Sequence, residues 1–406
     1  MNAPASLLAG APASPRPAGA PAFTAPTHRI TVGTRVLPSL DVVDLSVVLE
    51  KDQAAGFTMT VNDWQGEGID RQGSTIEPTK YSSTTLFDPH TELGIELGYA
   101  EAIVPVIRAG ITALSVHFGS TGTVMMVSGE DPLIRLLTQM PGPNDTKQWR
   151  NMRDAQVVEE IAQKLNISVV VDRDGPVQDQ IAIKNQTYLA FLFERANRID
   201  YEVYLALDAD QSKRVDGAPV PPSAWKSKLY FVRRRDGADG AAPARVFTWG
   251  RDLISFTPRL ATSHLVRSVT VRSWHPATKK AIVFTAERQH LSSPGAGQRG
   301  GPSFASDRSA DIVVHEKCNT EAEVRALAIA RLSEISNSLI TGTAKTVGTP
   351  GLRPGMIVEF GGVGSRFNGR YQVTKVIHNL GAAGFTTTFE VTRPDAGEAK
   401  VLGSKP

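Results

Sequence analysis

From Gly355 to Arg393 the chain reads GMIVEFGGVGSRFNGRYQVTKVIHNLGAAGFTTTFEVTR. Apolar and polar positions alternate over Ile357–Phe360 and again over Tyr371–His378. Phe385–Arg393 is dense in Thr, Phe and Val, residues that fit a pleated, half-buried surface. Gly361, Gly362, Gly364, Asn368–Gly369 and Gly381–Gly384 separate these runs as hairpin turns. The pattern predicts a three-stranded β-meander.

The same pattern occurs upstream, in IELGYAEAIVPVIRAGITALSVHFGSTGTVMMVSGED from Ile95 to Asp131. Ile95-Glu96-Leu97-Gly98 aligns with Val358-Glu359-Phe360-Gly361, Gly110 answers Gly369, and His117 answers His378. A Gly-containing turn and a β-rich strand close each copy. The spacing therefore predicts one duplicated structural unit, with Gly98, Gly110, His117, Gly361, Gly369 and His378 as its turn and repeat positions.

Between and before the copies the pattern changes. Residues 1–28 hold six of the chain's 26 prolines among many alanines, a composition expected to stay an extended, disordered tail. RITVGTRV, LDVVDLSVVLEKD and GFTMTVND alternate like strands, and Trp64–Phe87 reads as a long polar connection. A short helix, PLIRLLTQM, follows Asp131. Asp154 and Asn185 stand where each would cap an amphipathic helix. The helix–strand alternation predicts a small α/β domain over 145–240, with a Pro/Lys-rich excursion at 208–227 and a Gly-rich boundary loop at 236–243. Strands then resume, interrupted by the Gly/Pro/Ser loop 292–309. Thr320-x-x-Glu323 is a capping box opening a long helix that Gly342 should end.

These elements predict a mixed, mainly β chain of two similar β-barrels flanking a small α/β domain, the second barrel carrying one long helix. The expected division is a tail at 1–28, a first barrel at 29–144, the α/β domain at 145–240, a second barrel at 241–395 and a C-terminal tail at 396–406.

Composition narrows the function classes. The 406 residues suffice for two to four cores. Formal charge is only +3, which gives no electrostatic support to a specific nucleic-acid site. A single cysteine, Cys318, cannot form an internal disulfide, so no oxidising compartment is needed. No apolar run of about 18 residues is present to anchor the chain in a membrane, and the N-terminus lacks the basic and apolar segments of a signal peptide.

The candidate chemical motifs each fail at a named residue. His315-Glu316 begins an HExxH pattern, but Asn319 stands in place of the second His. Gly342-Thr-Ala-Lys345-Thr346 has Ala344 where a phosphate loop needs glycine, and it follows a helix where such a loop precedes one. Gly362-x-Gly364-x-x-Phe367 lacks the last glycine of a dinucleotide fingerprint. His264, His275 and His290 lack ligand spacing, and Cys318 lacks a nucleophile's strand–helix setting. Arg233-Arg234-Arg235 reads as a solvated basic face. No acid, base and nucleophile assemble, so no enzyme activity, metal or cofactor is expected.

Several segments together carry a family resemblance: VVEEIAQKLNISVVVD, NQTYLAFLFERANRIDYEVYL, VRSVTVRSWHPATKKAI and the closing meander. Most specific are the helix with Gln186 and Phe191-Leu192 and the strand with Trp274, Pro276 and Lys279. Over about residues 30–395 the chain resembles the late control protein D family of phage baseplate hubs, which is also the hub half of VgrG-type spike proteins in contractile injection systems. The resemblance implies tail-tube-like barrels and a structural, non-enzymatic hub: a homotrimer with pseudo-six-fold symmetry that joins the inner tube to the central spike. The implied partners are a second and third copy, the spike, the tube or tube-initiator protein, baseplate wedge proteins, and a tape measure or cargo in the lumen. The implied location is a baseplate assembled in the cytoplasm. Spike-fused members continue into an oligonucleotide-fold domain and needle, whereas this sequence stops at Pro406, so a stand-alone hub is expected.

Physical reasoning points the same way. Exposed strand edges are satisfied by pairing with a neighbour, and two like units per chain let three chains present six. The alternative is a glycan- or peptide-binding β-protein of a phage particle using barrel loops. Clustered loop aromatics would favour it, but Trp64, Trp225 and Trp274 are dispersed along the chain.

Overall fold

The structure is a computed structural model that describes residues 25–51, 53–65, 79–100, 102–120, 122–145, 147–207, 221–234, 243–261, 266–275, 278–291 and 310–394. The expected C-terminal tail 396–406, the loop 292–309 and most of the N-terminal tail lie outside these residues. Pro26, Thr27 and His28, assigned above to that tail, instead begin strand β1 (Pro26–Val32), which pairs along its whole length with β5 (Glu92–Tyr99). Partnered backbone offsets the ordering entropy that composition alone could not.

Among the described residues, seven strands precede the first α-helix. They are β1, β2 (Arg35–Val36), β3 (Val42–Glu50), β4 (Gly56–Asn62), β5, β6 (Ala102–Gly119) and β7 (Gly122–Glu130). The connection after β4, expected to be a loose loop, is pinned where it is described. Asp63 accepts from the Tyr81 and Ser82 backbone amides at 2.6 and 3.1 Å, and the Tyr81 hydroxyl donates to Asp41 at 2.6 Å. These bonds seat Tyr81 and Phe87 in the core, edge to face.

An α/β module follows. Its elements are α1 (Pro132–Leu137), β8 (Gln148–Arg153), α2 (Asp154–Lys164), β9 (Ser168–Val171), β10 (Val177–Ala182), α3 (Tyr188–Arg198), β11 (Tyr201–Leu207) and β12 (Ser227–Arg233). One sheet runs β11-β12-β9, β8 and β10 form a two-stranded antiparallel ladder, and the helices close one core around Phe191, Leu192 and Phe231. Neither expected cap residue caps. Thr187 accepts from the Ala190 amide to open α3, and Asp154 is buried in the first turn of α2, bonded to Arg195 and Gln178. A buried arginine holds that carboxylate more strongly than a helix end does.

The remaining strands are β13 (Arg245–Thr248), β14 (Leu253–Leu260), β15 (Val266–His275), β16 (Lys280–Glu287), β17 (Ala310–His315), β18 (Ile340–Val347), β19 (Ile357–Gly361), β20 (Gly369–Gly381) and β21 (Gly384–Arg393), with helix α4 (Glu321–Asn337) before β18. Thr320 caps α4 as expected, but the helix ends at Asn337 and Gly342 lies inside β18. Two differences from the expected barrels stand out. The strands of the two β-rich regions are not separate closed barrels: they share one 13-stranded sheet and one hydrophobic core. The long helix belongs to neither. α4 packs on the sheet β16-β15-β17 with its own small core of Val269, Val271, Val324, Leu327 and Leu332. That layer has a simple origin: alternate strand residues face the apolar stripe of α4 and form a core separate from that of the large sheet.

Glu202 of β11, almost fully buried, ties the α/β module to the large sheet. Its Oε1 accepts from Lys51 at 2.9 Å and from Gln372 at 2.6 Å, and Arg234 lies 3.4 Å away. Truncating one member of a buried ionic cluster strands the others without solvent. Glu202→Ala is therefore expected to cost on the order of 2–4 kcal/mol in urea unfolding. A cost below about 1 kcal/mol would show that the junction contributes little.

Candidate assembly interface

Strand pairing reveals a duplication more complete than the meander. The ladder β3-β4-β7-β6-β5 and the ladder β14-β18-β21-β20-β19 have the same order, the same chain sequence of strands and antiparallel pairing throughout. Each carries a bulge in its first pair, at Val43 and at Ile254, and another in its long strand, at Thr112 and at Thr374. The two bulge threonines make the same bond, Oγ1 donating at 3.3 Å to the carbonyls of Ser128 and Glu390. The cross-strand row Leu45–Met59–Val127–Leu114 matches Phe256–Ala344–Phe389–Val376. In the first unit a short loop joins the opening hairpin. In the second, β15–β17 and α4 are inserted at that point. The sixth strands differ, since β1 runs antiparallel to β5 whereas β13 runs parallel to β19.

The units are joined by a strand-to-strand seam. β19 covers only Gly369–Gln372 of β20, and β3 pairs antiparallel with the part left over, from Lys375↔Glu50 to Leu380↔Leu45. A Lys375–Glu50 ion pair of 2.7 Å and the bond from the Lys51 amide to the Thr374 carbonyl close one end of it. Arg353 adds a second link, donating to the carbonyls of Pro350 and Leu352 in the second unit and of Pro105 in the first. Desolvation lowers its pKa to about 10, so it remains a cation at neutral pH.

The repeat positions read from the sequence fall on this framework in a shifted register. The bulges and the paired turns Gly119/Gly122 and Gly381/Gly384 set Val116 opposite His378 and His117 opposite Asn379. Gly110 corresponds to Gln372, not Gly369, and lies mid-strand between Glu92 and Glu130. Gly369 begins β20 at φ +132°, where a Cβ would sit 2.7 Å from an Arg393 nitrogen. Gly98 has the Ala102 carbonyl 2.0 Å from where its Cβ would be, so it marks a close backbone approach, whereas Gly361 at the end of β19 has room. His117 is exposed. His378 is fully buried beside Thr387 Oγ1 at 3.0 Å, and burial, aided by the Arg353 charge, pulls its pKa down to about 3. The Gly-x-x-Gly spacing at 119–122 and 381–384 was the sequence signal that sets the true register.

The residues of the failed chemical motifs have structural partners. Glu316 pairs with Arg198 and Arg331, and Cys318 is buried with its thiol pKa raised by desolvation. Among the described residues no three His, Cys, Asp or Glu side chains gather to hold a metal, and no helix is long and apolar enough to cross a membrane.

The fold of this chain is similar to that of solved phage tail proteins. The chain is similar to the 43 kDa tail protein of prophage MuSo2 from Shewanella oneidensis, with TM-score 0.60 at 13% identity, over 92% of this chain and 99% of that one. It is likewise similar to a tail protein of Neisseria meningitidis MC58, with TM-score 0.61 at 14% identity and the same coverages. A third likeness, at TM-score 0.55 and 11% identity over 93% of this chain and 80% of that one, is to the c3393 protein of E. coli. That protein is described as a component of the type VI secretion system that resembles the T4 tail proteins gp27 and gp5. The family described as Alg8 N-terminal domain matches residues 236–382, little more than the insertion and part of the second unit. No curated protein matches the chain.

Two outcomes follow for the repeat positions. Gly369→Val is expected to cost about 1–3 kcal/mol, while Gly110→Val, with open space around its Cβ and ordinary φ, should cost less than about 1 kcal/mol, both read by chemical denaturation. His378 is held neutral in the fold, so the unfolded chain takes up its proton first as pH falls. Its contribution is complete above the unfolded value near 6.5 and is lost as pH drops toward about 3. Stability curves of the parent and His378→Gln should therefore converge across that window, and parallel curves would contradict a buried neutral histidine.

Proposed function

We propose that this protein is a structural baseplate hub of a contractile phage tail or phage-tail-like injection system, acting as a homotrimer that adapts the inner tube to the central spike. The observation that carries the reading is the duplication: one chain holds two five-stranded ladders with common order, bulges and rows, joined edge to edge. Three such chains present six like units toward a six-fold tube while keeping three-fold symmetry for a trimeric spike. The likeness to phage tail and type VI secretion proteins supports the same assignment.

The proposal includes the late control protein D relationship, the VgrG-like character and assembly in the cytoplasm. It includes the partners named above: spike, tube or tube initiator, wedges, and a tape measure or cargo in the lumen. It keeps the division 29–144, 145–240 and 241–395, with β15–β17 and α4 counted as an insertion in the last. The role is architectural, without catalysis or cofactor.

Imaging of the assembled baseplate tests it. Three copies on the axis between tube and spike, with both ladders equivalently placed around the lumen, are the expected result. Six copies, or a place on the outer wedges, would overturn the proposal.

A further inference from the structure

The internal seam has a counterpart that is left open. β3 pairs with the free part of β20; the equivalents of these strands are β14 and the Ala113–Phe118 part of β6. Among the described residues neither stretch joins a further ladder on that side: β14 pairs with β18 and makes one isolated bridge, from Leu253 to Trp249, and the pairing of β5 with β6 ends at Gly110, with bonds from His90 and to Thr91 at Ile111. Burial follows the same division. In the made seam, Val376 and His378 are 0% exposed and Leu380 8%. Their counterparts are Leu114 at 41%, Val116 partly exposed, and Phe118 at 70%. On the other side Leu45, Val47 and Leu49 are buried, while Phe256, Pro258 and Leu260 are only half-buried. All six positions are more exposed at the open edges than where the seam is made.

We infer that β14 of one copy pairs antiparallel with residues 113–118 of β6 in the next copy, reproducing the β3–β20 seam between chains. This rests on the hub reading above and names the contact that closes its ring. The occupant is a second copy because the chain already shows what covers such an edge, and only the equivalent of β3 has the matching bulge and row. One chain cannot join its own two open edges, since β3 and β20 already hold its units side by side. The contact is thus heterologous, head to tail, and closes when the rotation returns to the first copy.

Transferring the internal register pairs Ala261 with Ala113, Leu260 with Leu114, Arg259 with Ser115, Pro258 with Val116, Thr257 with His117 and Phe256 with Phe118. The Lys51 amide bonds to β20, so by alternation Val47 also points its backbone at the seam. Its counterpart Pro258 points outward and lacks the N–H, as proline does on an edge strand. The ion pair Lys375–Glu50 is replaced by two alanines. The seam between copies is therefore the weaker of the two: it keeps apolar Leu–Leu and Phe–Phe contacts but loses one ladder bond and one ion pair. Such an edge resists uncontrolled pairing and joins when other contacts of the particle align it.

Cysteine cross-linking of the full chain in assembled particles tests the seam. Ser115 and Arg259 form a non-hydrogen-bonded pair in the transferred register, the geometry in which Cα atoms approach to about 4.5 Å and a disulfide fits. Ser115→Cys/Arg259→Cys, and likewise His117→Cys/Thr257→Cys, should give a ladder ending at three chains on a non-reducing gel. The mismatched Ser115→Cys/Pro258→Cys, with side chains on opposite faces, should give none. Phe118→Asp, at an exposed site, should fold with unchanged unfolding midpoint yet fail to enter particles. Absent cross-links in particles that hold three axial copies would overturn the seam and leave the hub reading standing. Cross-links without axial placement would overturn the hub reading and keep the seam. Equal cross-linking by matched and mismatched pairs, or normal incorporation of Phe118→Asp, would also overturn the seam.

Discussion

β20 is longer than the strand that covers it, and the rest of the architecture depends on that mismatch. β19 begins only at Ile357, opposite Gln372, so Lys375–Leu380 would present bare amides and carbonyls if β3 did not take them. An unpaired ladder edge beside a hydrophobic core is both a backbone and a packing liability. Covering it with the first strand of the other unit turns two ladders into one sheet. It also buries Val376, His378 and Leu380 and lets a single core run through both halves. The neutral state of His378 is a by-product, since the seam removes the water that would solvate its charge.

Polar junctions then fix how the smaller pieces sit on this sheet. Glu202 gathers Lys51, Gln372 and Arg234, so the α/β module is held to both units at the place where they meet. Arg108 bridges Glu92 and the Trp225 carbonyl, and Gly94 leaves the space that the Trp225 ring fills. Arg198 reaches Glu316 and thereby links α3 to the layer inserted into the second unit. Charged groups at such junctions set orientation more than they add stability, because desolvation offsets much of their attraction.

Much of the local structure was legible along the chain. The alternation around Tyr371–His378, the Thr/Phe/Val run of β21 and the box at Thr320–Glu323 each specify their element, because strand and helix periods are written in neighbouring residues. The duplication is legible in kind but shifted in register: the order of the glycines sets Gly110 against Gly369, whereas the strand pairing sets it against Gln372. Glycine serves a positive φ at Gly369 and a close backbone approach at Gly98, and sequence does not distinguish these uses. Asp154 and Asn185 were plausible caps, yet Arg195 claimed the first and Thr187 the role of the second.

The sequence by itself determined a mainly β chain with a repeated meander, an α/β segment between the copies and one long helix. These follow from short-range periodicity, turn residues and composition. Tertiary structure alone decided that α4 and β15–β17 are an insertion and that the two units fuse through β3 and β20. It also decided which edges, β14 and the far part of β6, are left open. Edge pairing is a contact between backbones hundreds of residues apart, made by groups common to every residue, so side-chain pattern carries little record of it.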